Sequence, residues 1–148
     1  MLEAIEAWPL AAAIRRSVWA YPLLEIIHIA GFSALIGSLL TFELRVLGAR
    51  TDVALAPLAR LALPLAAAGF LIAALPGLVM FVSGATEFGR HPAFLAKIGL
   101  IVCAGVNAAA FHRRGGSARI DAVTRAQVAL SLVLWIGVIA AGRLIAYL

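Results

Sequence analysis

Reactive side chains are scarce in this chain. Its 148 residues include one cysteine (Cys103), one lysine (Lys97), three histidines and two methionines, and only 13% are charged. A lone cysteine in an apolar run forms no internal disulfide and reports no redox compartment. Soft copper(I) sites draw on Cys and Met, and Cys103, Met80 and the initiator Met1 are too few to build one. Zinc is no better served: Glu25 and His28 have no second histidine or cysteine at their depth, and Lys97 and Arg143 would repel a cation. A phosphate-binding glycine loop, a nucleophile elbow and a basic-aromatic patch are also missing, which removes the support for nucleotide chemistry, serine hydrolysis and nucleic-acid binding.

What is present is overwhelmingly apolar. At 64% hydrophobic residues and a mean hydropathy of +1.06, the chain is too apolar for a soluble domain of this size. The expected fold is all-α: an integral membrane four-helix bundle forming a single transmembrane domain over residues 1–148. The spans run from about Val18 to Phe42, Leu61 to Val82, Phe94 to Phe111 and Val128 to Leu148, each near the ~20 residues a bilayer core requires. Before them, Met1 to Ala20 opens with two glutamates and carries Trp8 and Trp19, which suits a short interfacial helix and not a secretory signal. The connections are too short to hold a folded domain, and the net charge of +5 is almost all arginine. Arg15, Arg16 and Arg90 lie on the face with both termini, against Arg45, Arg50, Arg60, Arg113, Arg114, Arg119 and Arg125 on the other. The arginine-rich face is therefore expected in the cytoplasm and both termini outside.

The stretch Glu25-Ile26-Ile27-His28 puts a carboxylate and an imidazole on one helix face inside the first span. Each ionisable group there costs roughly 2.5 to 3.5 kcal/mol unless compensated. Counting the rise per residue from each span's midpoint places Glu25, Lys97 and Arg143 about 7 to 9 Å from the membrane centre and His28 about 3 Å, all toward the same face. His112 falls roughly 13 Å toward the opposite face and His91 roughly 17 Å toward the near one, and Asn107 belongs to neither cluster. Glu25, Lys97 and Arg143 read either as a structural ion network or as a ligand site. Two cations facing one carboxylate leave a surplus positive charge that an anionic ligand would neutralise. His28 reads either as a hydrogen bond to a neighbouring helix or as a ligand-binding residue beside Gly31 and Pro76-Gly77, and His91 is the one other histidine on its side.

The blocks Phe42-Glu43-Leu44-Arg45-Val46-Leu47-Gly48, His91-Pro92-Ala93-Phe94-Leu95-Ala96-Lys97-Ile98-Gly99-Leu100 with Asn107 and Phe111-His112, and Gly142-Arg143-Leu144-Ile145-Ala146-Tyr147 together resemble a family of small four-helix bacterial inner-membrane proteins known as a domain of unknown function. More distantly, a first-span histidine, a lysine early in the third span and an arginine in the last resemble HemJ-type protoporphyrinogen oxidases and copper-resistance-D-like membrane proteins. The HemJ-type resemblance implies that His28 is haem-associated, and the family resemblance implies a bacterial inner membrane.

The resulting expectation is a flat anionic cofactor, haem b, bound between helices one, three and four. His28 would be the metal ligand, Lys97 and Arg143 would meet the propionates, Glu25 would orient one of them, and His91 is the candidate second axial ligand. Electron transfer with a quinone or porphyrin would be its role. The alternative is a non-enzymatic transport or accessory subunit whose charged layer is a structural lock or a path for a small anion or proton. The expected partners are the lipid bilayer and a second copy or another membrane subunit.

Overall fold

The computed structural model describes residues 1–118 and 120–147. Among them are seven α-helices and no strand: α1 (Leu2–Glu6), α2 (Pro9–Arg16), α3 (Ala20–Val46), α4 (Leu55–Ser83), α5 (Ala85–Phe88), α6 (Pro92–Arg113) and α7 (Ala122–Leu144), with a 3-10 turn at Gly116–Ala118. The helices α3, α4, α6 and α7 are long and apolar enough to cross a membrane. The fold is thus the expected all-α membrane four-helix bundle.

Helix ends differ from the hydropathy expectation because polar residues extend the helices past their apolar cores. The first span continues through Glu43 to Val46, and Arg45 then donates to the carbonyls of Val53 (2.6 Å) and Thr51 (3.2 Å) in the following loop. The second begins six residues early, since Pro57 is tolerated in a first helical turn. The fourth starts at Ala122, where the Asp121 carboxylate caps the helix by accepting from the Thr124 N–H at 2.8 Å. Arg119, counted above among the cytoplasmic arginines, and Leu148, the expected end of the fourth span, lie outside the described residues.

The segment expected as one interfacial helix is two, broken at Ala7 and Trp8 with Pro9 opening the second. It is tied to the end of the bundle that carries the termini. Arg15 donates to the Ser83 carbonyl at 2.9 Å, satisfying the C-terminus of α4, and to the Glu6 carbonyl at 3.0 Å. The Glu6 carboxylate accepts from the Thr86 hydroxyl and from its N–H at 3.2 Å; these bonds, with Arg15 nearby, hold it below the usual carboxylate range. Ala11 and Ile14 are the buried residues of α2.

The four long helices associate as two close pairs, α3 with α4 and α6 with α7, which meet mainly where α3 touches α7. Lipid tails are as apolar as leucine, so helix pairing relies on close backbone approach. Along α4 the buried positions Ala59, Ala62, Ala66, Gly69, Ala73 and Pro76 repeat at three and four residues and are all small or lack a long side chain. Gly31 and Leu35 of α3 sit against this stripe. A Cβ on Gly31 would lie 2.5 Å from the Ala73 nitrogen, and one on Gly69 would lie 2.6 Å from the Leu35 nitrogen. At the end away from the termini the two pairs close on Phe42, Val46, Ala59, Ala62, Phe111 and Val128, with Phe42 and Phe111 edge to face at 5.9 Å. Toward the termini they diverge around a cavity.

Because the atoms opposing Gly69 are backbone, Gly69→Ala is expected to destabilise the protein by about 1 to 3 kcal/mol through forced separation of α3 and α4. Gly37→Ala, whose new methyl would meet nothing within 4 Å, should be neutral or slightly stabilising. Thermal unfolding in detergent compares the two; equal effects would show that the seam does not hold the pair together.

Candidate functional site

The site is built around His28. Pro76 supplies no N–H to the Ile72 carbonyl, which loosens the turn of α4 facing α3. In that turn His28 Nδ1 lies 2.6 Å from the Ala73 carbonyl. A carbonyl only accepts, so Nδ1 carries the proton and Nε2, across the ring, keeps a free lone pair in the neutral side chain. The ring is further held by Phe32, stacked at 6.4 Å and 10°, which in turn meets Trp135 of α7 edge-on at 6.0 Å. Gly77 makes the space: a Cβ there would be 3.1 Å from the imidazole.

Two cavities meet at this histidine. The larger, about 510 Å³, has aromatic walls that include Phe32, Phe70, Phe81, Phe94 and Trp135, with Lys97 as its one charged residue. Phe81 and Phe94 stack at 5.3 Å and 5°. Its volume lies within the ~300–1,000 Å³ typical of small-molecule sites. Phe70, Leu78 and Ile98 at its margin are exposed, so it opens sideways between α4 and α6, toward the region that lipid occupies. The smaller, about 210 Å³, lies nearer the termini and adds Tyr21, Glu25 and Gly142. His28, Gly77, Phe94 and Lys97 line both.

Glu25, His28 and Lys97, assigned to one layer from the sequence, therefore border one cavity. Arg143 does not: it is exposed, donates to the Tyr147 hydroxyl at 2.7 Å and lies over that ring at 4.9 Å. Gly142 is the α7 residue that faces Lys97, and one step along a helix turns the next side chain by about 100°. His91 caps the start of α6; its Nδ1 is buried without a hydrogen-bond partner, and it borders neither cavity. His112 stands at the far end of α6, with Nδ1 2.8 Å from the Ala108 carbonyl. Among the described residues the ion pairs are Arg50 with Asp52 (2.7 Å) and Arg114 with Asp121 (3.1 Å), both in loops, and none joins Glu25, Lys97 and Arg143. The cavity draws on α4 as well as on the three helices expected.

A second polar group escaped the sequence reading. Glu43 is buried, and around it stand Ser131 and Gln127 of α7 and Asn107 of α6, at the end opposite His28. Ending the first span at Phe42 put Glu43 in a loop; the acidic residue one step from Arg45, with Asn107, Gln127 and Ser131 inside apolar helices, was the available signal.

No family model, curated protein or solved structure matches the chain.

Lys97 faces the cavities with no carboxylate within 4 Å among the described residues. An unpaired ammonium that is half-buried, as Lys97 is, costs more than an apolar chain of the same length. Lys97→Met should therefore raise the unfolding midpoint of the ligand-free protein, by on the order of 1 kcal/mol. A lower midpoint in detergent would mean that Lys97 has a stabilising partner.

Proposed function

We propose that the cavity holds a flat, largely apolar cofactor with carboxylate groups, haem b, and that the protein passes single electrons between it and a membrane quinone or porphyrin. The observation that carries this reading is the state of His28. Its Nδ1–H is bonded to a backbone carbonyl, as in metal-ligating histidines, and its Nε2 is bare beside an aromatic cavity of about 510 Å³. The donor set fits a ring-bound iron, which needs one imidazole from the protein where a bare ion needs three or four ligands. Lys97 would neutralise a carboxylate at the junction of the two cavities, and Glu25 and Tyr21 border the compartment where that carboxylate would lie. Phe32, Phe94 and Trp135 would cover the faces of the ring and exclude water. Bound there, the group would supply one-electron chemistry, its potential tuned by the Ala73 carbonyl behind His28. His91 borders neither cavity, which leaves His28 as the residue that would hold the iron.

The lateral opening toward lipid favours a second reading, a transport or accessory subunit whose cavity takes an amphiphilic anion from the bilayer. Protein purified from cells with ample haem separates the two. A Soret band that vanishes in His28→Ala, and persists in His112→Ala about 22 Å further along α6 from Lys97, is expected for haem. Colourless protein would remove haem and leave the second reading.

The same proposal sets the protein in a bacterial inner membrane as a member of the small four-helix family it resembles. Both termini would face the periplasm, as the excess of arginine on the opposite loops suggests. A C-terminal alkaline phosphatase fusion should be active and a green fluorescent protein fusion dark; the reverse pattern would invert the orientation.

A further inference from the structure

We propose that Glu43 is the proton-carrying residue of a second, water-lined site at the end of the bundle away from the termini, and that it exchanges its proton with the adjoining aqueous phase through His112.

Glu43 is 3% exposed, though it sits in the last turn of α3. Ser131 of α7 borders the same space as its side chain, and Oε2 is buried without a partner. Gln127 Oε1 is buried and unpartnered as well. Both residues border the same space of about 50 Å³. With Glu43 ionised, both oxygens only accept and cannot satisfy each other. They need a donor or a cation between them, and a buried acceptor left bare costs about 1 to 3 kcal/mol.

Among the described residues no lysine or arginine borders this space. On α3, Arg45 is turned to the loop carbonyls of Thr51 and Val53. On α4 the bordering residue is Leu63, and Arg60 is exposed. On α7 the polar neighbours are the neutral Gln127 and Ser131, with Arg125 exposed. On α6 they are Asn107, whose amide donates to the Gln127 carbonyl at 2.9 Å, and His112. Among the described residues, the one titratable group facing the space besides Glu43 is thus His112. An ionised Glu43 would be a buried charge with no counter-charge, so a proton is the economical way to neutralise it. The space also exceeds the ~30 Å³ a water occupies in the liquid, and a water can donate one hydrogen to each bare oxygen.

His112 completes a route. Its Nδ1–H is held by the Ala108 carbonyl, so its Nε2 is the exchangeable position, and the residue is exposed. A proton taken up at Nε2 from solvent passes to the cavity water, which gives one of its own hydrogens to the Glu43 carboxylate. His112 returns to neutral, the water is regenerated, and one proton has moved inward; release runs the same steps backward. The motif residues Glu43, Asn107 and His112, which the cavity at His28 does not use, are thereby joined in one function.

Infrared spectroscopy of the protein in liposomes tests this without any cofactor or substrate. At neutral pH a protonated carboxyl band absent from Glu43→Gln is expected, and it should shift soon after transfer to D₂O. His112→Leu should slow that shift by roughly two orders of magnitude. If Glu43→Gln does not fold, Gln127→Leu removes one acceptor and should move the same band to higher frequency. A carboxyl band insensitive to D₂O for hours, or one that shifts as fast in His112→Leu, would overturn the route. A band abolished by sodium at constant pH would replace the proton with a metal ion and overturn the proposal.

Discussion

The backbone contact between Gly31 and Gly69 fixes the rest of the bundle. With no Cβ on either residue, α3 and α4 approach until atoms of one main chain touch the other, and no larger side chain fits that gap. This close pairing brings the Ala73 carbonyl within reach of His28, four residues further along α4 and three back along α3. Were the helices an ordinary side-chain distance apart, the imidazole would lack its acceptor and its orientation. Packing, tautomer and the free Nε2 are therefore one consequence of two glycines.

The bundle uses its two ends differently. Away from the termini, Phe42, Phe111 and Val128 close the space among four helices and leave room for little more than a water beside Glu43. Toward the termini, α4 and α6 part and leave an aromatic chamber with one cation, Lys97. Among the described residues neither Lys97 at one end nor Glu43 at the other has an ion-pair partner within 4 Å. In a low-dielectric interior such a charge is costly, and the two proposals answer that cost with an anionic ligand at one end and a proton at the other.

Class and span number were legible in the sequence because four apolar runs, separated by short arginine-bearing loops, leave no other fold open to the backbone. The grouping of Glu25, His28 and Lys97 was legible as well, since rise per residue alone sets depth. Rotational phase was not. Arg143 has the right depth but turns outward to Tyr147, and nothing in the apolar sequence of α7 marks which face meets Lys97. Glu43 was hidden for a related reason: hydropathy locates where apolar residues stop, whereas the helix continues for as long as its polar residues are buried against neighbours. The carbonyl that fixes His28 lies forty-five residues away on another helix and has no sequence signal beyond Pro76.

The two sites share α6, which bounds how strongly they influence one another. Asn107, beside Glu43, is ten residues from Lys97, or about 15 Å along the helix axis. At an effective dielectric constant near 20, two unit charges at that separation interact by about 1 kcal/mol. Placing an anion against Lys97 would thus change the proton affinity at Glu43 by less than about tenfold through the field alone. Any tighter coupling has to be mechanical. The structure offers one route for it, since the α6 and α7 pair rests on the α3 and α4 pair mainly through α3 and α7. At the end beside Glu43 the two pairs are joined by Phe42 and Phe111, edge to face at 5.9 Å.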